Sequence, residues 1–181
     1  LMGSLEEGFR SKLQQRKLGW KWKGTKFMAK KLAIIATKGT LDWGYPPFIL
    51  ASTAAALGYD VKIFFTFYGL QLLKKDMKLS VTSLGNPAMP MPFPVPVLLQ
   101  TLPGMQAMMT SMMKKQMAGK GVVDLGELRE LCLEADVKFL ACQMTVDLFD
   151  MEPSDFIDNV EYAGAASFLE FAGDSDICLF I

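Results

Sequence analysis

Two short runs of almost unbroken apolar residues stand out: Leu32-Ala33-Ile34-Ile35-Ala36-Thr37, and Val61 to Phe67. Between them lies an Ala/Leu-rich stretch, 43–57, with Pro46 and Pro47 near its start and Gly58 just after its end. No other feature narrows the fold as much. A strand that is apolar on both sides of its pleat has to be covered on both faces, which is the condition of a parallel sheet. The stretch between has the marks of a helix, with prolines in the first turn and glycine at the C′ position. Strand, helix and strand within ~35 residues make a βαβ unit with a right-handed crossover.

The same signals recur downstream. Val137 to Ala141 reads as a strand that runs straight into Cys142, and Ile177 to Ile181 reads as a last strand. Asp124 is placed to cap a helix through Glu134. Gly69 to Lys75 reads as a helical turn, and Thr145–Met151 and Pro153–Asn159 as short helical pieces. Gly164 to Ala172 reads as a helix stopped by Gly173. Residues 79–83 carry no clear signal. Pro87, Pro90, Pro92, Pro94 and Pro96 predict an extended loop over 84–96, because proline removes the amide donor. Met105, Met108, Met109, Met112, Met113 and Met117 are spaced as an apolar stripe on a helix over 97–118. The expectation is an α/β fold, a three-layer sandwich with a mostly parallel sheet of about five strands. A chain of 181 residues is long enough to bury one sizeable core.

Charge divides the chain. Residues 1–31 hold nine basic side chains against two acidic ones, and residues 32–181 hold ten against seventeen, so a +7 arm precedes a −7 body. The expected organisation is a basic N-terminal arm over 1–30 and a folded domain over 31–181. Ser4-Leu5-Glu6-Glu7 has the spacing of a capping box and predicts a short helix over about 5–17. Trp20-Lys21-Trp22-Lys23 then alternates aromatic and basic residues. That pattern suits nucleic acid or an anionic membrane, but the acidic body of its own or a neighbouring subunit is an equal target. No nucleic-acid partner is expected.

Composition removes several chemistries. The chain has no histidine, which excludes Ser-His-Asp and Cys-His catalysis and the usual zinc sites within it. Three cysteines cannot make a disulfide framework, and an odd number of thiols fits a reducing cytoplasm. Glu6 and Glu7 with no apolar run beside them argue against a signal peptide. Apolar stretches such as Phe48–Leu57 are too short to span a bilayer. GxGxxG, Walker A and GxSxG patterns are absent, and Lys38-Gly39-Thr40 alone is too weak to argue phosphate binding.

Five features remain as candidates for chemistry or contact. Cys142 stands where a parallel strand ends, the edge at which open α/β sheets bind ligands. Gln143 to Asp147 would offer it amide donors and a helix start, both of which favour a thiolate. The alternative is a small buried hydrophobe, the commonest state of a free cysteine. Cys132 follows Leu128 by four residues, on the apolar face of its helix, and partnership with Cys142 requires Cα atoms within ~7 Å. Cys178 is expected to pack inside the last strand. Asp147, Asp150 and Glu152 would raise a nearby thiol's pKa, so they read as a solvated face or as a cap for the helix after Pro153. Thirteen methionines exceed what a core this size needs, so the Met-rich helix is expected to serve an interface.

Four blocks are informative together. They are Lys31-Leu-Ala-Ile-Ile-Ala-Thr-Lys-Gly-Thr-Leu-Asp42, Val61-Lys-Ile-Phe-Phe-Thr-Phe-Tyr-Gly-Leu70, Phe139-Leu-Ala-Cys-Gln-Met-Thr-Val-Asp147 and Glu161-Tyr-Ala-Gly-Ala-Ala-Ser-Phe-Leu169. They resemble the soluble branch of the DsrE/DsrF-like family of bacterial and archaeal sulfur-metabolism proteins, over about residues 31–181. The resemblance implies a flavodoxin-like fold and homo-oligomers, often trimers, tetramers or hexamers. It also implies a cysteine-dependent sulfur carrier or sulfurtransferase. The cysteine at the strand end, here Cys142, takes a sulfane sulfur as a persulfide or thiosulfonate and passes it to a partner thiol, such as that of a TusA-like relay protein. Some members carry a second cysteine in the preceding helix, where Cys132 stands. Asp150 occupies a position where that pattern has glycine. Such chemistry calls for no metal and no cofactor. Gln143, Met144, Asp42 and Tyr68 are the expected binding residues at the strand ends. Two rival readings are a non-catalytic oligomeric interaction module and a small-molecule-binding protein using Lys38–Asp42 and Tyr68.

Overall fold

The computed structural model describes residues 29–82 and 104–181. The helix expected over 5–17, the Trp/Lys segment and the expected proline-rich loop lie outside the described residues, as do residues 97–103 of the expected Met-rich helix.

Strand β1 is Lys31–Ala36, helix α1 is Leu41–Ala56 and strand β2 is Asp60–Phe65. The βαβ unit is as the apolar runs demand, with β1 and β2 parallel and in register from Lys31↔Asp60 to Ala36↔Phe65. Helix α1 starts two residues before the sequence expectation, so Pro46 and Pro47 stand in its second turn rather than its first. Its end is a Schellman motif. Gly58 sits at φ 92°, its N–H donates to the Ala55 carbonyl, and the Tyr59 N–H donates to the Ala54 carbonyl.

A 3-10 helix, Phe67–Leu73, leaves β2. Helix α2, Met105–Gly119, carries the methionines, and helix α3, Leu125–Glu134, is capped by Asp124 accepting from the Gly126 N–H at 2.8 Å. Strand β3 is Lys138–Cys142 and helix α4 is Gln143–Leu148. The helical piece expected after Pro153 is a single 3-10 turn, Pro153–Asp155, after which Phe156 bridges Lys74. Glu152 caps that turn, so the capping role considered for the acidic set falls to it. Strand β4, Val160–Ala163, has no apolar run to announce it; it holds Glu161 and lies at the sheet edge. Helix α5, Ala165–Gly173, and strand β5, Ile177–Phe180, complete the fold.

All five strands are parallel, in the order β4-β3-β2-β1-β5. This order differs from the 2-1-3-4-5 order of flavodoxin, while keeping the three layers. From β1 to β4 the chain advances one strand at a time, so right-handed crossovers hold α1 and α3 on the same face. The step from β4 to β5 runs back across the sheet, which sends α5 to the opposite face. The two cores record this. Leu32, Ile34, Ile63, Phe65, Phe139 and Ala141 face α1 and α3, whereas Ala33, Phe64, Leu140 and Cys142 face Phe168 of α5. On the first face Phe48, Phe65 and Phe139 meet with ring centroids 5.5–5.9 Å apart. On the second, Phe64 stacks on Phe168 at 4.9 Å.

Connections leaving the C-terminal ends of β3 and β4 therefore part to opposite faces. A strand pair with that property opens a crevice at its carboxyl edge. Cys142 is the last residue of β3, and its register partner Ala163 is the last residue of β4.

The methionine stripe divides. Met109 is buried and Met113 and Met117 pack on the core, while Met108 and Met112 are exposed. Helix α2 also fixes the segment that showed no signal. The Thr110 hydroxyl accepts from the Val81 N–H at 3.0 Å, and the Gln106 side chain donates to the Val81 carbonyl at 3.0 Å.

A thiol cradle at the sheet's topological switch

Cys142 ends β3 with its side chain on the α5 face, and only 5 % of the residue is exposed. Its surroundings are polar at close range. Burial raises the thiol's pKa, but the hydroxyl and N–H of Thr145, the hydroxyl of Thr66 and the N–H of Met144 lie around the sulfur and oppose that rise. Together these hold it below the usual cysteine value. Thr145 lies in the first turn of α4 and is fully buried; Thr66 lies one residue past β2. Their hydroxyl oxygens are 3.1 Å apart, and the Thr145 oxygen accepts from the Phe67 N–H at 3.3 Å. One of the two hydroxyls donates to the other, so the pair keeps a single proton that can turn to the sulfur. The arrangement favours a thiolate, the form of cysteine that attacks.

The other expected site residues separate. Met144 follows Cys142 by two residues in the first turn of α4, and its side chain is exposed. Gln143 points away, its amide donating to Asp147 at 2.7 Å. The Asp42 carboxylate is taken up by Thr82, accepting from its N–H at 2.9 Å and its hydroxyl at 2.6 Å. Burial raises the Asp42 pKa, but those hydrogen bonds bring it below the ordinary value. Tyr68 is exposed, stacks on Phe149 at 5.8 Å, and walls a cleft with Lys38 and Trp43. Asp150 completes the turn after α4 at φ 48°, a left-handed conformation that suits glycine and that aspartate also tolerates.

Cys132 lies elsewhere. It is fully buried in the core on the α1/α3 face, across the sheet from the Cys142 side chain, and its Sγ–H donates to the Phe48 carbonyl at 3.4 Å. Burial pushes its thiol up to about 12. A raised value means that the folded chain keeps this proton while the unfolded chain loses it. Stability from Cys132 is thus complete below about pH 9 and lost as pH rises toward 12, at about 1.4 kcal/mol per pH unit. Cys132→Ala is expected to flatten that alkaline limb in urea titrations across this range, with a cost at neutral pH of about 1 kcal/mol. An unchanged limb would contradict the assignment. Cys178 is in the expected strand, but β5 is an edge strand and this thiol is exposed rather than packed.

Thr66 and Thr145 were not singled out in the sequence because they are 79 residues apart. Both nevertheless fall inside the two blocks quoted above, Phe-Phe-Thr-Phe-Tyr-Gly and Cys-Gln-Met-Thr.

Fold and site together define a three-layer parallel α/β protein with a cysteine at the switch of its sheet. Residues 28–180 match the profile of the DsrE/DsrF/DrsH-like family, and the chain belongs to that family. It is 72 % identical over 156 residues to the sulfur carrier protein DsrE2 of Allochromatium vinosum, covering 84 % of this chain and 98 % of that protein. It is 31 % identical over 155 residues to the uncharacterized protein YrkE of Bacillus subtilis, covering 84 % of this chain and 97 % of that one. Among solved structures, the ychN protein of E. coli aligns with 84 % of this chain and 99 % of its own at 11 % identity and a TM-score of 0.49.

Proposed function

We propose that this chain is a sulfur carrier that takes sulfane sulfur on Cys142 and passes it to the thiol of a partner protein. The observation that carries the reading is Cys142 at the carboxyl end of β3, where the paired hydroxyls of Thr66 and Thr145, 3.1 Å apart, stand at the same end of the sheet. The name of the 72 % identical relative points the same way. In the loading step the Cys142 thiolate attacks the outer sulfur of a donor persulfide, R–S–SH. One S–S bond forms as the donor's breaks, the donor leaves as R–S⁻, and Cys142 becomes Cys–S–SH. Unloading repeats the exchange with an acceptor thiolate, so no net oxidation occurs and no cofactor is called for. Donors that hold the anionic sulfur in place lower the barrier of both exchanges.

Peptide mapping by mass spectrometry after brief treatment of the native protein with polysulfide tests this. Added sulfur is expected on the peptide containing Cys142, and sulfur found only on Cys178 would sink the reading. A second reading, a non-catalytic interaction module, is favoured by the 5 % exposure of Cys142. It expects that peptide to stay unmodified until the protein is unfolded.

The acceptor we infer is a TusA-like relay protein, and the working unit is the 31–181 domain as a homo-oligomer. Phe180 at 75 % exposure and Leu169 at 61 % support association. Light scattering is expected to give a multiple of 20.1 kDa, and a species of 20.1 kDa would refute it. Three free thiols support a reducing cytoplasm, and no helix among the described residues is long and apolar enough to cross a membrane.

A further inference from the structure

A cleft of about 540 Å³ opens at the C-terminal ends of β1 and β2. Its walls are Trp43 and Tyr68, its polar groups are Thr40, Gln71 and Thr82, and Lys38 is the one charged side chain lining it among the described residues. The Lys38 ammonium is 3.1 Å from the Trp43 ring centroid, held over the indole face. The backbone is pressed tight below: a Cβ on Gly39 would lie 2.1 Å from the Tyr68 carbonyl oxygen. The wall is therefore rigid where Tyr68 leaves the sheet.

Size and charge select the ligand. One water claims ~30 Å³ of liquid volume, so a hydrosulfide or short polysulfide ion would leave most of the cleft empty. About 540 Å³ lies in the range that holds small organic molecules. Two aromatic walls suit an apolar or flat body, and the Lys38 ammonium with the Gln71 amide suits an anionic end, while the Thr82 hydroxyl stays committed to Asp42. The cleft also shares a loop with the thiol. The Phe67 N–H donates to the hydroxyl of Thr145, three residues after Cys142, at 3.3 Å, and Tyr68, the residue after Phe67, forms the wall.

We propose that this cleft binds the organic body of a low-molecular-weight persulfide bearing a carboxylate, at the same end of the sheet as the thiol that accepts its sulfur. The proposal rests on the sulfur-carrier reading and adds the class of donor. A carboxylate pairs with Lys38 while the body lies between Trp43 and Tyr68. Inorganic polysulfide has no such body and gains nothing from the cleft.

Two measurements test it. S-methylglutathione, which cannot transfer sulfur, is titrated calorimetrically into the full-length Cys142→Ser protein, alone and combined with Lys38→Glu or Lys38→Arg. Saturable binding is expected, weakened about tenfold or more by Lys38→Glu and kept by Lys38→Arg. Separately, persulfide formation on Cys142 is timed with glutathione persulfide and with inorganic polysulfide. Lys38→Glu is expected to slow the first about tenfold and leave the second unchanged. Absence of binding, binding indifferent to Lys38→Glu, or equal slowing with both donors overturns the proposal. If neither donor loads wild-type Cys142, the carrier reading fails instead, and the calorimetry still decides whether the cleft takes an organic anion.

Discussion

Thr145→Val is expected to slow alkylation of Cys142 at pH 7 about tenfold and to move the pH profile of that reaction upward. Valine keeps the volume of threonine and removes the hydroxyl that lowers the thiol's pKa. A hydrogen bond to a charged group contributes about 1.5–3 kcal/mol, and about 1.4 kcal/mol is a factor of ten. The Phe67 N–H loses its acceptor in the same change, which loosens the loop that brings Thr66 to the thiol. Thr145→Ser restores the hydroxyl and is expected to recover most of the rate, which separates the hydrogen bond from mere packing. The sign of the linked stability follows. A cysteine held below its ordinary value stabilises the fold fully above the pH at which the unfolded thiol ionises, and that stabilisation fades as pH falls through the folded value. Thr145→Val should erase this term, as urea titrations at pH 7 and pH 10 would detect. Superimposable alkylation profiles for wild type and Thr145→Val would rule out the cradle.

Gly69→Ala is expected to cost about 3 kcal/mol, lowering the thermal midpoint by about 10 °C. The added Cβ would sit 2.2 Å from the Ala36 carbonyl oxygen and 2.9 Å from its carbon. Both are backbone atoms that no rotamer change can move. The Ala36 oxygen also accepts from the Thr66 N–H at 3.0 Å, and the Gly69 N–H donates to the Thr37 and Thr66 carbonyls. Relief of the clash must therefore separate the end of β1 from the loop after β2. Because Thr66 belongs to that loop, the surviving folded fraction should also react more slowly at Cys142. A midpoint within 2 °C of wild type would show that the loop yields without strain.

These two changes mark where the sequence was legible and where it was not. Strands β1, β2, β3 and β5 were readable because their apolar residues are contiguous, although β5 is an exposed edge strand rather than one buried on both faces. Strand β4 was not, since an edge strand with Glu161 and a solvated side needs no such run. Position alone nominated Cys142, because a cysteine that ends a buried strand can only lie at the rim. The two hydroxyls follow two different strands, and only the parallel register of β2 and β3 joins Thr66 to Thr145. Periodicity likewise placed Cys132 on its helix's inner face, as found. It carried no account of the sheet lying between the two thiols.

Successive side chains in β3 point to opposite faces, so Ala141 belongs to the phenylalanine-rich core and Cys142 to the thin layer under α5. The protein's reactivity is thus a matter of parity. Deleting one residue within β3 would exchange those two positions, set the sulfur among Phe48, Phe65 and Phe139, and silence it without changing a single reactive atom.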